Sequence, residues 1–133
     1  LPLFIETRIT NAKYFQKLFS DHPYVSIQRE IGQSSWFGFS LVLKESSPIT
    51  RRKLVQHLTA NSIECRPIVT GNFLKNKEVL KYFDYEVSGS LENSEYIDAN
   101  GLFVGNHQID ITDKIDYLYQ VIRDSIANSV LDR

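Results

Sequence analysis

Pro67 follows directly on the run Ile63-Glu64-Cys65-Arg66, and that junction constrains the fold more than any other feature. The run alternates apolar and polar side chains, as a half-buried strand does, and the proline then withholds the amide that a central ladder needs. A strand over residues 63–66 must therefore end at Pro67 or lie at a sheet edge. Beyond it Ile68 and Val69 can still pack on a core, and Thr70-Gly71-Asn72 has the composition of a turn presenting polar groups ahead of Phe73. One bend thus carries a guanidinium, Arg66, and an amide, Asn72. A planar fork and a group that both donates and accepts suit an anionic or hydroxyl-rich ligand. Equally, Arg66 can be a surface cation and Asn72 a turn former, the common condition of polar loop residues.

The remaining elements are placed around this junction. Residues 36–43, dense in aromatic and aliphatic side chains, make the strongest strand, paired as a hairpin with residues 24–28 across the turn Gly32-Gln33-Ser34-Ser35. Thr50 is the expected N-cap of a helix to Ala60 with Leu54, Val55 and Leu58 inward, and Asn61 ends it. Strand 37–43, helix 50–60 and strand 63–66 then form a short crossover unit. A first helix over residues 4–19 is expected from Ile5, Ile9, Ala12, Phe15, Leu18 and Phe19, and a last one, capped by Thr112, from Ile115, Leu118, Tyr119, Ile122 and Ile126. Between them lie one or two helical turns at 77–82, a segment capped by Ser90 or Asn93 that reaches Ala99, and a brief strand at 102–104. The fold class expected is α+β, with about four strands in a mixed or antiparallel sheet covered by helices from both ends of the chain.

With 133 residues, 42% of them apolar, residues 1–133 suit one domain with a real core. Charges nearly balance, 15 Lys plus Arg against 16 Asp plus Glu, so no overall basic field draws nucleic acid or an acidic membrane. The single cysteine, Cys65, supplies neither a disulfide framework nor a cysteine-rich metal site, and a reducing, cytoplasmic setting is expected. The apolar runs fall far short of a membrane span. The chain opens on Leu1 and has no methionine, from which a piece of a longer protein is expected.

No glycine-rich phosphate loop, His-Glu-x-x-His or Gly-x-Ser-x-Gly elbow occurs. His107, after Gly105-Asn106, offers an imidazole for general base or hydroxyl contacts, or simply a loop histidine bonded to backbone. His57 lies beside a helical stripe without a partner at ligand spacing and reads as structural. Cys65 beside Arg66 has either a lowered thiol pKa or a buried strand position. Residues 36–43 also invite an RNA-binding alternative with stacked rings, or a non-catalytic interaction domain, although no basic residue opens the run.

Three stretches carry a resemblance: Glu64-Cys65-Arg66-Pro67-Ile68-Val69-Thr70-Gly71-Asn72-Phe73, Tyr82-Phe83-Asp84-Tyr85, and Asn100-Gly101-Leu102-Phe103-Val104-Gly105-Asn106-His107. They resemble the C-terminal part of the DegT/DnrJ/EryC1/StrS sugar aminotransferase family, nearest to its branch of 3-dehydratases of 4-keto-6-deoxy sugar nucleotides, those acting on GDP-4-keto-6-deoxymannose among them. Residues 1–14, with Arg8 and Asn11-Ala12, are similar to the helix that enters the small domain of such enzymes. The resemblance implies the small C-terminal domain of a dimeric fold-type-I enzyme of deoxysugar and lipopolysaccharide O-antigen biosynthesis. Its pyridoxal or pyridoxamine phosphate lies in a separate domain and serves as electron sink while the sugar loses its 3-hydroxyl. A lysine holds that cofactor in the aminotransferases and a histidine replaces it in the dehydratases; neither position falls in this chain, so the resemblance implies a 3-dehydratase or an aminotransferase of such sugar nucleotides. Iron-sulfur relatives acting on CDP sugars use a set of cysteines, which Cys65 alone does not supply. By the same resemblance Arg66, Asn72, Phe73 and His107 line the sugar-nucleotide side of the interdomain cleft. No catalytic residue, metal ligand or cofactor contact is expected within this fragment, which by itself is expected to be inactive.

Overall fold

The computed structural model describes residues 1–68 and 71–131, so the expected packing of Val69 and the turn role of Thr70 lie outside the described residues. Helix α1 (Pro2–Phe19) starts on a proline, whose ring fixes φ where no intrahelical donor is needed. Its buried face is Asn11, Ala12, Phe15 and Phe19, whereas Ile5 stays 39% exposed. The expected apolar stripe therefore meets the core only in its second half; the first turns carry Leu3, Phe4 and Ile5 beyond it.

Three antiparallel strands follow in the order β1 (Val25–Ile27), β2 (Gly38–Leu43), β3 (Gly101–Gly105). Register places Val25 opposite Leu43, Leu41 opposite Leu102 and Phe39 opposite Val104, all buried on one face. Period-two geometry then turns Ser40, Val42 and Phe103 to the other face. The expected strand 36–43 loses its first two residues because Trp36 takes a left-handed φ of 49°. That turn tucks its indole beside Phe39, with ring centroids 6.2 Å apart, and leaves Phe37 74% exposed. Gln28 carries the pairing one step further through its side chain, donating to the Gly38 carbonyl and accepting from the Ser40 amide.

Helix α2 (Arg51–Ala60) is capped as expected, with the Thr50 hydroxyl accepting from the Lys53 amide at 3.4 Å and Asn61 at its end. Leu54 and Leu58 are fully buried, and His57 is half-buried with its carbonyl accepting from Asn61. The expected fourth strand is reduced to one antiparallel bridge, Arg66 to Phe103, with amide-to-carbonyl distances of 2.9 and 2.7 Å. The alternation survives, as Ile63 and Cys65 pack against the core while Glu64 and Arg66 are exposed, but Pro67 has no amide to extend the ladder. Two antiparallel relations compose to a parallel one. The crossover from β2 through α2 to Arg66 thus skips over β3, which lies between them.

A 3-10 turn (Phe73–Lys75) and α3 (Lys77–Leu80) lead to α4 (Glu92–Asn100), whose Tyr96 hydroxyl donates to the Leu43 carbonyl at 2.7 Å. Ser90 rather than Asn93 accepts the first amide of α4, at 3.3 Å from Glu92. Helix α5 (Thr112–Leu131) closes the fold over α1 and α2. Thr112 is its first residue; the accepting side chain is Asp110, which takes the Thr112 amide at 2.9 Å and its hydroxyl at 2.8 Å. An acceptor two residues upstream reaches that free amide, which a side chain on Thr112 itself cannot. The core centres on Phe15, stacked between Phe19 and Phe39 at 4.6 and 4.3 Å. Each such buried ring contributes about 1.5–3 kcal/mol by removal from water.

His22 is 3% exposed; its Nδ1 accepts from the Tyr24 amide at 3.2 Å and its carbonyl accepts from the Lys44 ammonium at 2.8 Å. Burial first, then the Lys44 charge, holds its pKa below the ordinary 6.5. The unfolded chain therefore binds the extra proton, so stability present above pH 6.5 is lost as pH falls from there through the folded value. The expected outcome is a thermal midpoint that drops on acidification just below pH 6.5. In His22→Gln the slope in that window should flatten; an unchanged slope would assign it to other groups.

Candidate functional site

The loop after β3 is held by two buried asparagines. Asn106 donates through Nδ2 to the carbonyls of Arg8 (3.0 Å) and Trp36 (2.9 Å), and its Oδ1 accepts from Asn11 Nδ2 (3.2 Å) and the His107 amide (2.8 Å). Asn11 also donates to the carbonyls of His107 and Ile109 and accepts from the Ile111 amide. The carbonyls of His107 and Ile109 and the amides of His107 and Ile111 are thereby supplied by these two side chains, which fixes the course of the turn at 105–111.

His107 has its main chain clamped on both sides by this network, while its imidazole is exposed. It borders a cleft of about 840 Å³ between the end of α2, residues 63–64, the end of β3 and the first turns of α5. Phe39, Val104 and Leu118 form part of its floor, and Glu64, Lys114 and Tyr117 stand around it. The exposed imidazole can hydrogen-bond a hydroxyl there.

Arg66 is reached from the same side through Glu64, which it pairs at 2.8 Å with both side chains more than 70% exposed. Such a surface pair contributes at most about 1 kcal/mol, so the guanidinium is available to a better anion. Bridge partners project to one face, which sets Arg66 beside Phe103. The Phe103 ring stacks on Phe37 at 5.5 Å and lies across Gly38, where any Cβ would collide with it. This open sheet face therefore presents a cation and two rings side by side.

Asn72 and Phe73 take a different position. Asn72 is buried, its Oδ1 accepting from the Leu74 amide at 3.1 Å to cap the 3-10 turn, while Phe73 is 47% exposed. Neither borders the cleft that His107 lines. The four expected site residues thus divide between the β3 end, the open face and the loop beyond Pro67, with Glu64 joining the first two. Asn72's amide is engaged in the turn, which meets its alternative as a turn former. Cys65 is half-buried, and burial, followed by the Glu64 charge, raises its thiol pKa. The lowered pKa considered for a cysteine beside Arg66 is thereby corrected: the guanidinium is drawn to Glu64. Trp36 and Phe39 are buried, so residues 36–43 do not offer a row of rings for stacked bases.

Residues 1–123 match the DegT/DnrJ/EryC1/StrS aminotransferase family. The chain belongs to this family. Among curated relatives, GDP-4-keto-6-deoxy-D-mannose 3-dehydratase of Yersinia pseudotuberculosis is 63% identical over 123 residues, 92% of this chain but 31% of the relative. A solved structure of the E. coli GDP-4-keto-6-deoxy-D-mannose-3-dehydratase, with hydrated PLP bound, superposes with a TM-score of 0.88 at 59% identity, covering 91% of this chain and 31% of that one. A mutant GDP-4-keto-6-deoxymannose-3-dehydratase with bound GDP-perosamine gives 0.89 at 59% identity, with 92% and 32% covered. The chain spans about a third of the length of these family members. Among the described residues no helix is long and apolar enough to cross a membrane.

Asn11 and Asn106 escaped the sequence reading as functional residues, although Asn11 is a polar side chain set beside the apolar stripe of α1. Truncating Asn106 leaves the Arg8 and Trp36 carbonyls and the His107 amide without their partner. Asn106→Ala is expected to cost about 2–4 kcal/mol in denaturant unfolding, on the scale of unmet buried hydrogen bonds. A loss below about 0.5 kcal/mol would show that water replaces the amide and that the loop does not depend on it.

Proposed function

We propose that this chain is the C-terminal, substrate-covering domain of a vitamin B6-dependent 3-dehydratase acting on a GDP-linked 4-keto-6-deoxy sugar. The identity to GDP-4-keto-6-deoxy-D-mannose 3-dehydratases over nine-tenths of the chain carries this assignment. The full-length protein would be a cytoplasmic homodimer of deoxysugar biosynthesis, with the cofactor on a domain outside this chain. Exposed Phe37, Phe73, Tyr82, Phe83 and Tyr85 support a covered apolar face, as such a concentration of rings is rare on a free surface.

The described lysines with assigned contacts do not fit the cofactor. An imine-forming amine is desolvated and neutral, whereas Lys75 and Lys81 hold exposed ion pairs and Lys44 donates to the His22 carbonyl. When bound in such enzymes the cofactor supplies an electron sink for loss of a sugar hydroxyl. The chain's own residues bind and orient. Arg66 offers its fork to a phosphate or sugar oxygen, Phe37, Phe73 and Phe103 offer faces to the nucleoside or sugar, and the imidazole of His107 bonds a hydroxyl from the end of β3.

Arg66→Ala in the full-length enzyme is expected to raise KM about ten- to a hundredfold, at about 1.4 kcal/mol per decade, with the cofactor spectrum unchanged. Arg66→Lys should recover little, because a point charge does not reproduce the fork. A fall in melting temperature with unaltered kinetics would make Arg66 a structural residue and remove it from the site. The 133-residue chain mixed with pyridoxal phosphate should give no saturable one-to-one change in visible absorbance. A stoichiometric band tied to one lysine would place the cofactor in this domain and overturn its assignment as a cover.

A further inference from the structure

The loop that follows Pro67 is tied to α4 by one carboxylate. Asp98, in the last part of α4, accepts from the Lys75 ammonium at the end of the 3-10 turn, and the backbone amide of Asn72 at its start helps to hold its carboxyl below the ordinary carboxylate range. Between the carboxylate and the main chain there is no room for a side chain. A Cβ at Gly71 would collide with Asp98 Oδ1, and Gly71 has φ +55°, a conformation that L side chains rarely adopt. The Gly71 amide donates to the Ile68 carbonyl at 2.7 Å.

Just after Pro67 the Ile68 side chain lies against Gly101, where any Cβ would collide with it. Among the described residues 71–76 the remaining hydrogen bonds are local: Leu74 to Asn72 Oδ1, Lys75 to the Asn72 carbonyl and Asn76 to the Phe73 carbonyl. Such contacts give the turn its shape but not its place on the sheet. Placement beyond residue 70 draws on burial of the Asn72 side chain and on Asp98, whose helix is fixed by Tyr96 bonded to the Leu43 carbonyl of β2. The Lys75 ammonium and the Asn72 amide also hold the Asp98 carboxyl below the ordinary carboxylate range, with Arg51 adding to the shift. The tether is therefore ionised and intact at neutral pH.

We propose that Asp98 is a positioning residue that sets the Gly71-to-Lys75 loop, and with it the exposed Phe73 ring, against the substrate side of the sheet. The assignment of a ligand to that side rests on the function proposed above; the tether itself does not. Asp98→Asn keeps the shape but removes the negative charge that pairs with the Lys75 ammonium. Gly71→Ala attacks the same contact from the loop.

The test has two measurements on the full-length protein. In Asp98→Asn the amides of residues 71–76 should exchange with deuterium at least about tenfold faster while those of β2 stay protected, as expected for local opening. The same variant, and Gly71→Ala, should raise KM for the sugar nucleotide about five- to twentyfold, the change falling mainly on KM rather than kcat. Asp98→Asn combined with Lys75→Gln should raise KM less than the product of the single effects, since both remove one tether. Unchanged exchange in the loop overturns the tether. Faster exchange with unchanged KM, while Arg66→Ala still raises KM, overturns the positioning role alone. If neither Asp98→Asn nor Arg66→Ala moves KM, the substrate-covering function fails and the positioning role with it.

Discussion

The buried pair Asn11 and Asn106 is the interaction on which the arrangement of this domain depends. Ninety-five residues separate them, yet one amide-to-amide bond and the carbonyls around it join α1, the corner before β2 and the turn after β3. A polar group inside an apolar core is costly unless every donor and acceptor is met. Here that demand acts as a specification. Sliding α1 by one residue would leave at least three backbone groups of the 105–111 turn unpaired, so the helix register, the Trp36 corner and the His107 loop are set together.

The sheet separates two environments around this point. One face packs under α1, α2 and α5 and is built from Phe39, Leu41, Leu43, Leu102 and Val104. The other is thinly covered, with α4 over part of it and with Arg66, Phe37 and Phe103 presented at the other end. Gly38 is what permits this second surface, because only a residue without Cβ lets the Phe103 ring lie flat on the strand. Pro67 has a related effect: by ending the bridge after one residue it keeps the chain from covering β3 and turns it out into the loop that carries Phe73. The backbone that makes the core thus also leaves the uncovered face in place.

Sequence patterns and tertiary contacts contributed different parts of this picture. The elements with strong local signals were legible from residues alone: the Thr50 cap, the α2 face of Leu54 and Leu58, the α5 face of Ile115 to Ile126, and the halt at Pro67. Each depends on propensity, capping or periodicity within a few residues. Misreadings occurred where tertiary packing outweighed them. Trp36 left the strand because its indole gains more by burial against Phe39 than by extending the ladder, and residues 63–66 stayed a single bridge despite their alternation. The family was legible from three motifs because those stretches are long and specific.

The sequence by itself determined the helices α1, α2 and α5, the cores of the strands, which of their faces would be apolar, and the halt at Pro67, since these follow from side-chain stereochemistry acting over short range. Only the tertiary structure decided which neighbour each face meets: that Asn106 is satisfied by Asn11, that Asp98 reaches the loop at Gly71, and that His107 and Arg66 flank Glu64 while Asn72 is withdrawn into its own turn. Periodicity records that a side chain is to be buried or paired. The identity of its partner depends on contacts far apart along the chain, and those become definite only when the core closes and each buried polar group must find its match.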